Sequence, residues 1–75
     1  MRMTNRSAVA RARTMIEIIR QSLVEGLAER NKAMADGYVI SLLDCGLIER
    51  GQFDELIAES ELALTNWRAP RNDVP

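Results

Sequence analysis

The chain has 75 residues, nearly half of them apolar but only three aromatic (Tyr38, Phe53 and Trp67), and a formal net charge of −1. That length allows one domain, which buries about 60% of the surface its unfolded form exposes, and domains so small often rely on disulfides, metals or partner subunits. One cysteine, Cys45, and no histidine exclude a disulfide framework, leave a metal site short of ligands and remove the usual acid–base group at neutral pH, so no cofactor, metal or catalysis is expected.

The apolar residues are aliphatic and Ala-rich, without alternating runs, which suits helices packed on helices. No apolar run approaches the ~20 residues of a membrane span, and the Arg-rich N-terminus is not followed by a signal-peptide core. With its lone thiol, the chain reads as a soluble cytoplasmic protein with no membrane partner. Its charge is divided: residues 1–32 carry seven basic and three acidic side chains, residues 33–75 three basic and eight acidic. Such polarity suits two antiparallel copies of the chain, or a partner whose charge is similarly split.

In chain order, residues 1–5 read as a lead, with Thr4, Asn5 or Ser7 available as an N-cap. A helical pattern follows. Val9, Ile16 and Leu23 recur every seven residues with Ala12 and Ile19 between them, an a/d seam that fades at Gly26, Arg30 and Ala33. Arg6, Arg13 and Arg20 repeat at the same interval along its edge, with Glu17 within reach of the last two. They form either a solvated flank or a basic stripe for an acidic partner or for phosphates. Past Met34 the apolar direction rotates by nearly half a turn, to Val39, Leu42 and Leu43. Either the helix breaks near Ala35-Asp36-Gly37, giving three helices, or one helix over about residues 7–45 shows different faces to different neighbours. We take the second, continuous or gently kinked at 35–37.

Gly46 stands where a helix C-terminus accepts a positive φ, and Leu47 and Ile48 follow as an apolar plug. Phe53, Leu56, Ile57, Ala63 and Leu64 make the inner stripe of a returning antiparallel helix over about residues 50–67, with Leu62 at its margin. Asp54, Glu55, Glu59 and Glu61 make its outer face, and acidic residues in the first turns suit the helix dipole. Ala69-Pro70 is expected to end it, leaving a folded domain over 1–67 and a disordered tail over 68–75. Cys45 reads as a buried structural thiol, having no basic neighbour to activate it. Trp67 reads as a cover for the end of the core or as a partner-binding hot spot.

The expected fold is therefore an all-α helical hairpin. Its second helix, about 24 Å long at 1.5 Å per residue, cannot cover all of the first. The seam Val9, Ala12, Ile16, Ile19 and Leu23 is left without an intramolecular cover, and an exposed aliphatic stripe marks an interaction surface. On this reading the seam forms a homodimer, with Arg6, Arg13, Arg20 and Trp67 as further candidate partner contacts.

Leu42-Leu43, Gly46-Leu47-Ile48 and Phe53 resemble the short C-terminal domain (SHOCT-type) family of bacteria over residues 39–65. That family's pattern is an apolar helix, Gly-apolar-Ile, and a capped second helix containing Glu-Phe. Its usual Thr and Glu capping box is replaced here by Glu49 and Gln52, of which Gln52 can still reach back. The resemblance implies oligomerisation or protein contact and brings no catalytic residue. Leu27-Ala28-Glu29-Arg30 reads like the end of the long helix of helical chorismate mutases, but only Lys32 follows, at an unsuitable spacing.

These readings converge on a small non-catalytic regulator or inhibitor that binds itself and another protein through an apolar helical surface, as motif-poor helical proteins of phages and plasmids often do. Two alternatives stand beside it. One is a DNA-binding regulator using Arg2, Arg6, Arg11, Arg13 and Arg20; the other is a purely structural oligomerisation module.

Overall fold

The computed structural model describes residues 3–72, with side chains through Ala69. All of its regular structure is helical: α1 (Asn5–Arg20), α2 (Glu25–Asp44) and α3 (Arg50–Asn72), each packed on the other two. The chain is thus a three-helix bundle, not a two-helix hairpin. The single helix expected over residues 7–45 is divided, and at residues 21–24, not at 35–37. Gly37 lies inside α2, where a Cβ would meet nothing within 4 Å.

Local chemistry explains most of the ends. At the start of α1 the Thr4 hydroxyl accepts from Ser7 N at 3.1 Å while Thr4 N donates to Ser7 Oγ at 3.0 Å, a reciprocal capping box. At the end of α2, Gly46 adopts φ 75°. Leu47 N donates to Leu42 O at 2.9 Å and Gly46 N to Leu43 O at 3.0 Å, the paired bonds of a Schellman motif. At the start of α3, Gln52 Oε1 accepts from Glu49 N at 2.9 Å, so Gln52 does reach back as the sequence suggested. α3 then continues past Trp67 and Pro70 to Asn72, longer than expected, so residues 68–72 are not a disordered tail. The remainder of that expected tail, residues 73–75, lies outside the described residues.

The break between α1 and α2 has another origin. Gln21-Ser22-Leu23-Val24 contains neither glycine nor proline, and Val24 caps α2 with no side-chain bond. Tertiary contacts hold the turn instead. Trp67 Nε1 donates to Ser22 O at 2.7 Å, Asn31 Nδ2 donates to Ser22 Oγ at 2.9 Å, and Ser22 Oγ donates to Ile18 O at 3.0 Å. Ser22 is buried as a result. Its carbonyl is claimed by α3 and its hydroxyl by α2.

Contacts along the helices define the topology. Asn5, Arg13 and Ser22 meet Gln52, Glu55 with Glu59, and Trp67 in that order, so α1 and α3 run parallel. Tyr38 reaches back to Met3, and Arg68 to Glu25 and Glu29, so α2 runs antiparallel to both.

The core joins Ala8, Ala12, Ile16 and Ile19 of α1 to Ala28, Ala35, Val39 and Leu42 of α2. Ile48 of the loop and Leu56, Ala63, Leu64 and Trp67 of α3 complete it. Five of these positions are alanine, a side chain small enough to let neighbouring helices pack closely. The third helix changes the fate of the predicted seam. Ala12, Ile16 and Ile19, expected to lack an intramolecular cover, are buried inside the bundle, Ile19 fully. Only Leu23, 84% exposed at the α1–α2 turn, lies in the open, and Val9 is half-buried.

Candidate protein interface

Once the bundle closes, the charges of its two halves meet within one chain. Arg13 on α1 donates from Nη2 to Glu55 at 2.7 Å and to Glu59 at 2.8 Å, and from Nε to Glu59 at 3.1 Å. The hydrogen bond and charge of Glu59, then those of Glu55, raise the Arg13 pKa above its ordinary value. Arg68 on α3 reaches Glu25 at 2.7 Å and Glu29 at 2.6 Å, and Lys32 lies 2.6 Å from Asp36 and 3.9 Å from Glu61. The divided charge read from the sequence is thus partly spent on the chain's own fold, where the exposed pairs of Arg13 and Arg68 each contribute ~0–1 kcal/mol.

The expected basic stripe does not survive as a unit. Arg13 clamps α1 to α3, and Arg20 pairs with Glu17 at 3.3 Å on its own helix. Arg6 forms no ion pair among the described residues and sits beside Asn5, Val9 and Arg13 on the α3 side of α1. Trp67 is no exposed hot spot: it is 6% exposed and donates to the buried Ser22 carbonyl. Cys45, expected to be buried, is exposed at the C-cap of α2.

A second network ties the N-terminus down. Asn5 Nδ2 donates to Leu47 O at 2.7 Å and to Gln52 Oε1 at 2.9 Å, and Gln52 Nε2 donates back to Asn5 Oδ1 at 3.0 Å. One glutamine amide therefore caps α3 and holds α1 to the α2–α3 loop.

What remains exposed and apolar lies mainly on another face. On α2, Leu27, Asn31, Met34 and Tyr38 follow the i, i+4, i+7, i+11 spacing of one helix stripe. Asn31 bonds Ser22 and the Tyr38 hydroxyl donates to Met3 Sδ at 3.5 Å, so this stripe borders α1. On α1, Arg11, Met15, Ile18 and Ser22 repeat the same spacing, and the Ser22–Asn31 bond joins the two stripes. Ile18, Leu27 and Met34 are each about half exposed, while Met15 and Tyr38 are half-buried against the core. These side chains line one face of the α1–α2 pair over about 17 Å from Leu27 to Tyr38, at 1.5 Å per residue.

The spacing of both stripes is present in the sequence. It stayed hidden because a single helix drawn through residues 21–24 puts α1 and α2 in the wrong relative phase. An open shelf on the far side of α3, lined by Ile57, Ala58 and Leu62 between Asp54 and Glu61, is a second partly apolar surface, and Val24 and Ile40 are exposed elsewhere.

Among the described residues no group of three or more Cys, Asp or Glu is placed to hold a metal ion, and no helix is long and apolar enough to cross a membrane. Comparison of the chain with protein-family models, with curated proteins and with solved structures gave no match.

Proposed function

We propose that this chain is a small protein-binding module that acts without catalysis, through the α1–α2 face. The observation that carries this is the set Ile18, Leu27 and Met34, each about half exposed, with the half-buried Met15 and Tyr38 beside them on the same two helix stripes. A monomer of this size has little apolar surface to spare, and a joined apolar stripe over two helices is the feature that marks a contact site. The SHOCT-type resemblance of residues 39–65 points toward the same class of function. The self-association read from the sequence does not run through Ala12, Ile16 and Ile19, which belong to the core.

The test is site-specific photo-crosslinking in the native host, with benzoylphenylalanine placed at Ile18, Leu27 or Met34 and, as a control, at Ala58 or Thr65 on the outer face of α3. Discrete adducts confined to the first three positions, and removed by Met34→Asp placed beside the Leu27 probe, are expected. Adducts equal on both faces, or absent from both, overturn the assignment. Ile19→Asp is the internal contrast. It leaves the surface stripe intact but buries a charge in the core, so it abolishes cooperative unfolding where Met34→Asp preserves it. A salt-dependent shift of random duplex DNA would favour the nucleic-acid reading instead.

A further inference from the structure

The α1–α2 face carries a charge as well as a shape. Arg13, Arg20, Lys32, Arg50 and Arg68 each lie within 4 Å of a carboxylate of the same chain. Arg11 and Arg30 do not: both are exposed and form no ion pair among the described residues. Arg11 is the first member of the α1 stripe, one helical turn before Met15. Arg30 follows Leu27 by three residues and precedes Met34 by four, so it stands on the same side of α2. None of Arg11, Met15, Ile18, Leu23, Leu27, Arg30, Asn31, Met34 and Tyr38 is acidic. The apolar stripe is therefore flanked by two guanidiniums that no carboxylate among the described residues pairs with.

Resting on the reading of this face as a protein interface, we propose that its occupant is an acidic amphipathic helix of a partner protein. The apolar side of that helix would lie on Ile18, Leu27 and Met34, and its Glu or Asp flanks would meet Arg11 and Arg30. Three considerations select that occupant. The face runs along two adjacent helices, with Met15 and Ile18 on one and Leu27 and Met34 at i and i+7 on the other, the helical spacing read in helix-on-helix recognition; an extended strand would need a sheet edge, and the described residues form none. The stripe matches about three turns of helix, and its three most central exposed side chains include a methionine, whose flexibility suits such a groove. Finally, a two-fold contact between copies through this face would bring Arg11 and Arg30 of both chains together with no carboxylate among the residues named, and like charges facing each other oppose association.

The test is selection from a displayed library of helical peptides with a fixed Leu stripe and with Glu, Lys, Gln and Ser randomised at the flanking positions, using the immobilised full-length chain. Flanking Glu is expected over Lys by about five- to tenfold, the span two rim ion pairs supply. The preference should turn toward Lys on the Arg11→Glu/Arg30→Glu chain. Selected peptides should lose binding to Ile18→Asp and Met34→Asp chains that unfold at the parent temperature.

Each outcome bears on a different statement. Peptides that bind with no flank preference overturn the acidic occupant and leave the docking face standing. No enrichment over the Met34→Asp chain overturns the docking face itself. Light scattering that shows a dilution-dependent dimer, lost on Ile18→Asp, makes the occupant a second copy and overturns the proposal. Duplex DNA binding that needs Arg11 and Arg30 but not Ile18 also overturns it.

Discussion

Trp67 is the sole tryptophan, which allows its N–H to be removed without changing its shape. Biosynthetic replacement by benzothienylalanine puts sulfur where Nε1–H stands and leaves the bicyclic outline nearly unchanged. The lost bond is the 2.7 Å contact to the Ser22 carbonyl, which lies in a buried setting at the α1–α2 turn. A buried acceptor deprived of its donor costs about 1–3 kcal/mol. Natural Trp67→Phe adds the loss of the second ring, about 40 Å² of apolar cover, or about 1 kcal/mol. A chain of this length has roughly 4–11 kcal/mol to lose.

At about 4–8 °C per kcal/mol for a domain of this size, the isosteric change, at about 1–3 kcal/mol, should lower Tm by roughly 4–24 °C, with Trp67→Phe lower still. Thermal unfolding followed by far-UV circular dichroism measures both. Hydrogen exchange at Ser22, Leu27 and Ala28, whose amides bond Ile19 O and Val24 O at the two ends of the turn, should accelerate along with the fall in Tm, because the bond holds the turn as well as the core. An isosteric variant that melts with the parent would show that the turn does not depend on α3, and the break at residues 21–24 would then need a cause other than the Trp67–Ser22 bond.

Two further substitutions probe the same packing. Ser60 is fully buried in α3 and its hydroxyl has no partner among the described residues, so Ser60→Ala should raise Tm or leave it unchanged; a fall of several degrees in a urea or thermal melt would show that the hydroxyl is bonded. Gly37 lies in mid-α2 with open space about its Cβ direction, so Gly37→Ala should stabilise the chain by about 1 kcal/mol. An unchanged or lowered midpoint would place the glycine under a constraint that the fold does not reveal.

The all-helical class, the C-terminal cap at Gly46, the backward reach of Gln52 and the inner stripe of α3 were legible in the sequence because each depends on neighbours within a turn or two. A Schellman end needs a residue that tolerates positive φ, and only glycine in that stretch does so at no cost. An amphipathic stripe needs only its own spacing. The number of helices was not legible, since the α1–α2 turn carries no local breaker. Ser22 leaves the helix because Trp67, 45 residues away, and Asn31 on the next helix claim its carbonyl and hydroxyl. Both are bonds between elements, and no window of sequence contains them.

The site followed from that difference. Periodicity marked Ala12, Ile16 and Ile19 as one apolar stripe but assigned it to a seam between copies, and it left Arg13 as a solvated flank or part of a basic stripe. Whether those partners lie in another molecule or in the same one depends on how many helices fold back. The extra turn supplies a third layer, which covers Ile16 and Ile19 and carries Glu55 and Glu59 to Arg13. The exposed face then moves to Ile18, Leu27 and Met34, positions one step around each helix from the core. Sequence alone set which residues prefer apolar surroundings and where α3 begins. The tertiary structure decided which of them find those surroundings within the chain, because burial is a property of packed surfaces and not of residue spacing.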